Sequence, residues 1–134
     1  MGPTARIERP AYHGKRYIAY ARCAAAEGAA AKLEEQVRQI REFGDRNDMK
    51  CVGEVRLAGV SGGPPAMRDD LRKLLSRKRE QNDFDVLIMK DFARLTRAGL
   101  TEGLKVEAEF ARCGVRIIYA TEVVGAEDER RGKT

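Results

Sequence analysis

The stretch Phe84-Asp85-Val86-Leu87-Ile88-Met89-Lys90 contains a continuous apolar run, Val86 to Met89, with a charged residue on either side. A strand with no polar alternation has to be covered on both faces, which suits a central strand of a parallel sheet sandwiched between helices. Just before this stretch, Met67, Leu71, Leu74 and Leu75 line one face of a helix whose other face is densely charged. Earlier still, Ala58-Gly59-Val60-Ser61-Gly62-Gly63-Pro64-Pro65 concentrates both strong breakers and is expected to form a mobile loop. Met49 to Val55 reads as a strand, preceded by Leu33, Val37, Ile40 and Phe43 at helical spacing, with Gly44 where a left-handed helix cap belongs. Arg16 to Arg22, built around Tyr17-Ile18-Ala19-Tyr20-Ala21, has the length and composition of a buried strand, and an alanine-rich loop follows it. On the other side, Leu100, Leu104, Ala108 and Ala111 give a further helix, and Val115 to Tyr119 a last strand.

Strands alternating with helices imply right-handed crossovers and a mostly parallel sheet between helix layers. The expected fold is α/β, three-layer α/β/α, with four to five strands. Residues 1–15, which carry Gly2, Pro3, Pro10 and Gly14, are expected as a flexible arm, residues 16–125 as the domain and residues 126–134 as a charged tail. Ligands of such open sheets bind beyond the carboxyl ends of the strands, where the strand order reverses. The site is therefore expected around Arg22, the Gly/Pro loop and Asp91 to Arg97.

At 134 residues, the chain has room for one domain with one core. Its 43% hydrophobic and 35% charged residues describe a globular protein with a heavily charged surface. No apolar run approaches the roughly 20 residues that span a bilayer, and the first fifteen residues lack a signal-peptide core, so a cytoplasmic address without a membrane partner is expected. Cys23, Cys51 and Cys113 are odd in number and widely spaced, which argues against disulfides and zinc and for buried free thiols. His13 is the single histidine, so any catalysis has to proceed without a histidine base. A net charge of +5 and a pI near 9.3 favour a polyanion such as nucleic acid.

Several short motifs then fall in one order. Tyr20-Ala21-Arg22-Cys23-Ala24 resembles the Y-x-R-x-S box that opens the serine recombinase (resolvase/invertase) catalytic domain. Leu33-Glu34-Glu35-Gln36 is similar to the next helix of that family, and Gly59-Val60-Ser61-Gly62 with Arg68 to its G-[IV]-S-G loop and downstream arginine. Arg94-Leu95-Thr96-Arg97 resembles the end of its D-R-L-[ST]-R box, and Gly114-Val115 the entry to its last strand. The resemblance covers roughly residues 16 to 121. It implies a resolvase-like fold and attack of a serine hydroxyl on a DNA phosphodiester. A phosphoserine link forms and a sugar hydroxyl leaves, without metal or other cofactor. Charge developing on the phosphate oxygens needs fixed guanidinium donors, and the resemblance assigns Arg22, Arg68, Arg94 and Arg97 to that role, with Tyr20 and Gln36 at further site positions. DNA and other recombinase subunits, or self-association, are the partners it implies.

Three departures accompany these matches. Ala24 stands where the family has its serine, and Ala25 and Ala26 offer no neighbouring hydroxyl. The thiol of Cys23 is expected to pack rather than react. Ala93 stands where the family commonly has an aspartate, and Asp91, two residues earlier, shares a face with position 93 if the strand continues that far. Leu57 lies near the family's acidic residue before the loop. No counterpart of the long dimerisation helix or the C-terminal DNA-binding domain follows Gly125, so DNA targeting is expected from a longer chain or from other subunits.

The leading expectation is thus a DNA site-specific serine recombinase catalytic domain that is inactive at Ala24. The alternative is a degenerate, non-catalytic domain that binds DNA or protein. A nucleotide-binding reading of Gly62-Gly63 finds neither a G-x-G-x-x-G after the first strand nor a P-loop lysine.

Overall fold

The computed structural model describes residues 12–63 and 68–122. Met67, Pro64, Pro65, the arm before Tyr12 and the charged tail lie outside the described residues. The elements are β1 (Arg16–Cys23), α1 (Ala29–Arg46), β2 (Lys50–Ala58), α2 (Asp69–Gln81), β3 (Val86–Met89), the one-turn α3 (Phe92–Leu95), α4 (Leu100–Arg112) and β4 (Arg116–Tyr119). Among the described residues the strands form one four-stranded parallel sheet in the order β2-β1-β3-β4. The chain starts in the middle and winds outward in both directions, so the order reverses between β1 and β3.

Alternation along β1 divides the core between two faces. Tyr17, Ala19 and Ala21 point to α1, where Leu33, Val37, Ile40 and Phe43 are buried as their spacing predicts. Ile18 and Tyr20 point the other way, into a cluster with Leu71 and Leu74 of α2 and Val106 and Phe110 of α4. All four residues of β3 are buried, as a strand covered on both faces requires. β2 runs three residues beyond its expected end because it stays in register with β1 up to the pair Cys23–Ala58.

Four expectations are corrected. Gly44 is not a cap: α1 continues to Arg46, and the left-handed residue is Asp48 at φ 55°. A Cβ at Gly44 would stand 2.6 Å from the Tyr17 ring, so the glycine serves close helix-to-strand contact inside the helix. On α4 the buried row is Gly103, Val106 and Phe110, whereas Leu100 and Leu104 are 65% and 50% exposed and Ala108 and Ala111 are exposed too. Two apolar rows compete on this helix, and the aromatic side chain of Phe110, with the larger apolar area, takes the core. Tyr12, assigned to the arm, is buried against Phe43, and the Gly14 N–H donates to the Asp48 carbonyl. Of the three free thiols only Cys23 is buried; Cys51 and Cys113 are half-buried.

Candidate functional site

Arg22 continues the row of Ile18 and Tyr20 at the carboxyl end of β1, so its side chain enters the protein and is 1% exposed. Its Nε donates to the carbonyl of Arg94 at 2.8 Å, Nη1 to that of Val60 at 2.8 Å and Nη2 to that of Ala93 at 2.6 Å. Carbonyl bonds of this kind offset the cost of burying a charge. They also tie the loop after β2 and the segment after β3 to the end of β1. Beyond the last pair with β3, Tyr20–Met89, the amide of Gln36 does what a strand would do. It accepts from the Arg22 N–H at 3.1 Å and donates to the Arg22 carbonyl at 3.0 Å. Arg94 Nη1 reaches the same carbonyl at 2.9 Å.

Arg94 also donates through Nε to Asp91 at 3.2 Å. The expectation that Asp91 shares a strand face with Ala93 fails, because β3 stops at Met89 and Asp91 instead precedes α3 and pairs with Arg94 one turn on. Arg68, at the start of α2, is 8% exposed. Its Nη1 donates to the Leu95 carbonyl at 2.6 Å and its Nη2 to the Tyr20 hydroxyl at 2.5 Å, while Nε and Nη2 reach Asp70 at 3.3 and 3.2 Å. The Tyr20 hydroxyl donates to Asp70. Burial, reinforced by that bond, pushes its pKa well above the usual tyrosine value. Arg97 is exposed at its side chain, and its backbone N–H donates to the Gly62 carbonyl at 2.8 Å.

The four arginines therefore converge, and Arg22 feels it. Burial is the largest cause of its lowered pKa, followed by the charge of Arg68, with Arg94 and Arg97 acting in the same direction. A guanidinium nevertheless stays charged. Among the described residues Asp70 and Asp91 are the carboxylates that pair with these arginines, so four positive charges against two negative leave an excess of two there. An edge of this kind can hold a phosphate.

Ala24 is exposed immediately beyond β1. The Gly59 and Val60 N–H groups donate to the Cys23 carbonyl at 2.8 and 3.2 Å, which folds the loop against this position. Leu57 lies within β2, partly buried against the core. The sequence reading missed two residues of the site. Asp70 looked like one more charge on a charged helix, although its place two residues after Arg68 in a first helical turn was a signal. Gly62 looked like a breaker, whereas a Cβ there would stand 2.7 Å from Arg22 Nη2.

A separate groove of about 930 Å³, between α4 and β4, contains none of these residues. Among the described residues no helix is long and apolar enough to cross a membrane, and no three His, Cys, Asp or Glu side chains gather as a metal site would need.

A parallel sheet that reverses its order between β1 and β3, with the family's motifs at its strand ends, defines an α/β domain of the serine recombinase class. The chain belongs to the Resolvase, N terminal domain family, whose match spans residues 17–133. In fold it is similar to the N-terminal catalytic domain of TP901-1 integrase, with 17% identity, a TM-score of 0.68 and coverage of 87% of this chain and 88% of that one. It is also similar to a resolvase family site-specific recombinase from Streptococcus pneumoniae, with 19% identity, a TM-score of 0.66 and coverage of 89% of each chain. The C-terminal catalytic domain of IS1535 TnpA, an IS607-like serine recombinase, shares 27% identity at a TM-score of 0.58, covering 84% of this chain and 78% of that one. A comparison with curated proteins gave no match.

Proposed function

We propose that this chain is a DNA site-specific recombinase catalytic domain that grips a DNA phosphate and does not cut beside it, because Ala24 occupies the nucleophile position. The observation that carries this reading is the convergence of Arg22, Arg68, Arg94 and Arg97 at the switch-point edge, with only Asp70 and Asp91, among the described residues, paired to them. Arg97, exposed, and Arg94, partly exposed, meet the phosphate. Arg22 holds the edge together from inside, and Arg68 is turned inward against Asp70 and the Leu95 carbonyl. Loss of a covalent serine costs on the order of a millionfold in a serine hydrolase. Here the hydroxyl would also have to hold the broken strand, so water attack cannot replace it.

Ala24→Ser tests the reading. Incubated with pre-nicked DNA carrying the recombination site, the variant is expected to give a covalent protein–DNA adduct on a denaturing gel. If no adduct forms even with a downstream DNA-binding domain fused on, the reading is wrong.

A second reading, a non-catalytic module that docks on active recombinase subunits, is favoured by the exposed Leu100 and Leu104 on α4. It predicts that purified chain binds an active serine recombinase in a pull-down and that Leu104→Asp abolishes this.

A further inference from the structure

Arg68 has little left to offer a ligand. Four of its five N–H groups serve the Leu95 carbonyl, the Tyr20 hydroxyl and, through Nε and Nη2, both oxygens of Asp70. Asp70 sits across the fork as a bound phosphate would, two acceptor oxygens against two donors. The pair is nearly buried, at 9% and 11% side-chain exposure. The Tyr20 hydroxyl closes a ring by accepting from Arg68 and donating to Asp70. Burial opposes the charge on Asp70, but hydrogen bonds from Arg68 and Tyr20 outweigh it and its pKa falls below the usual carboxylate value. The carboxylate is thus a permanent anion at neutral pH.

We propose that Asp70 is a positioning residue that acts as the resident anion of Arg68, keeping that guanidinium turned inward until a DNA phosphate displaces it. The proposal rests on reading the arginine edge as a phosphate site. It explains why an arginine at such an edge is buried while Arg97 beside it is exposed. It also separates Asp70 from Asp69, which lies in the same turn but is 80% exposed and bonds to Arg72.

Asp70→Asn keeps the shape and removes the anion; Asp69→Asn removes the same charge from the same helix turn without touching Arg68. Inorganic phosphate is titrated while the Arg68 Nε signal is followed by nitrogen NMR. Asp70→Asn is expected to shift that signal at phosphate concentrations at least tenfold lower than wild type, and Asp69→Asn to behave as wild type. On duplex DNA, Asp70→Asn is expected to tighten binding about tenfold, because the phosphate no longer has to displace a carboxylate from Arg68. Introducing Arg68→Ala as well should abolish that gain. Asp70→Ser, a residue that helix starts accept, is read the same way should the asparagine variant fail to fold. Equal responses from the Asp69 and Asp70 variants, or a gain that survives Arg68→Ala, would overturn the proposal. Failure of wild type to bind any DNA, with the phosphate titration behaving as expected, would instead overturn the DNA reading and leave the Asp70 assignment standing.

Discussion

A Cβ on Gly62 would stand 2.7 Å from Nη2 of Arg22 and 3.2 Å from Cγ of Arg97, so the loop after β2 passes between the inner and the outer arginine with no room for a side chain. The far end of an arginine normally moves aside at little cost. Arg22 cannot, because three carbonyls from two segments hold it. Gly62→Ala is therefore expected to break at least one of these bonds and to destabilise the protein by about 1–3 kcal/mol. Urea unfolding measures this, and an unchanged midpoint would show that Arg22 is free to shift.

Exposure separates the arginines into two kinds with opposite signatures. Arg97→Ala removes an exposed side chain, so stability should stay within about 0.5 kcal/mol of wild type, while the salt dependence of DNA binding flattens by about 0.9 in slope. Arg22→Ala strands the Val60, Ala93 and Arg94 carbonyls, and destabilisation of several kcal/mol is expected before any DNA is added. Parallel urea and salt titrations distinguish the two. Equal loss of stability in both variants would contradict the division.

Much of this fold was legible because periodicity reports burial directly. Val86 to Met89 suits a strand covered on both faces, and Leu33, Val37, Ile40 and Phe43 recur at the spacing of one helix face, as the structure has them. The errors share a cause, which is that local pattern cannot weigh partners distant in sequence. Gly44 carries an end signal and a close-contact signal in the same residue, and only the Tyr17 ring, from another element, decides between them. Leu100 and Leu104 form a good apolar row until Phe110 claims the core. At the site, motif spacing located the arginines at the strand ends but not which way they point. Parity along β1 turns Arg22 inward, and Asp70 holds Arg68 there, a relation between side chains that a linear reading shows only as charge.

The opposite edge of the sheet supplies a test of the fold that leaves the arginine cluster alone. Arg16, at the start of β1, donates to Asp85 through its backbone N–H at 3.3 Å and through Nε and Nη2 at 3.0 Å each. The hydrogen bond from the Arg16 side chain, against some burial, holds the Asp85 pKa at about 2. Its value in the unfolded chain is about 3.9. A carboxylate whose pKa is lower in the folded state stabilises the protein above the unfolded value and loses that contribution as pH falls through the folded one. Asp85→Asn is therefore expected to lower the melting temperature at pH 7, and the gap from wild type should close as pH falls from about 4 to about 2. DNA binding at pH 7 should be unchanged, because Asp85 lies at the amino end of β3, away from the arginines. A gap of constant size down to pH 2 would mean that the Arg16–Asp85 pair contributes by shape rather than by charge.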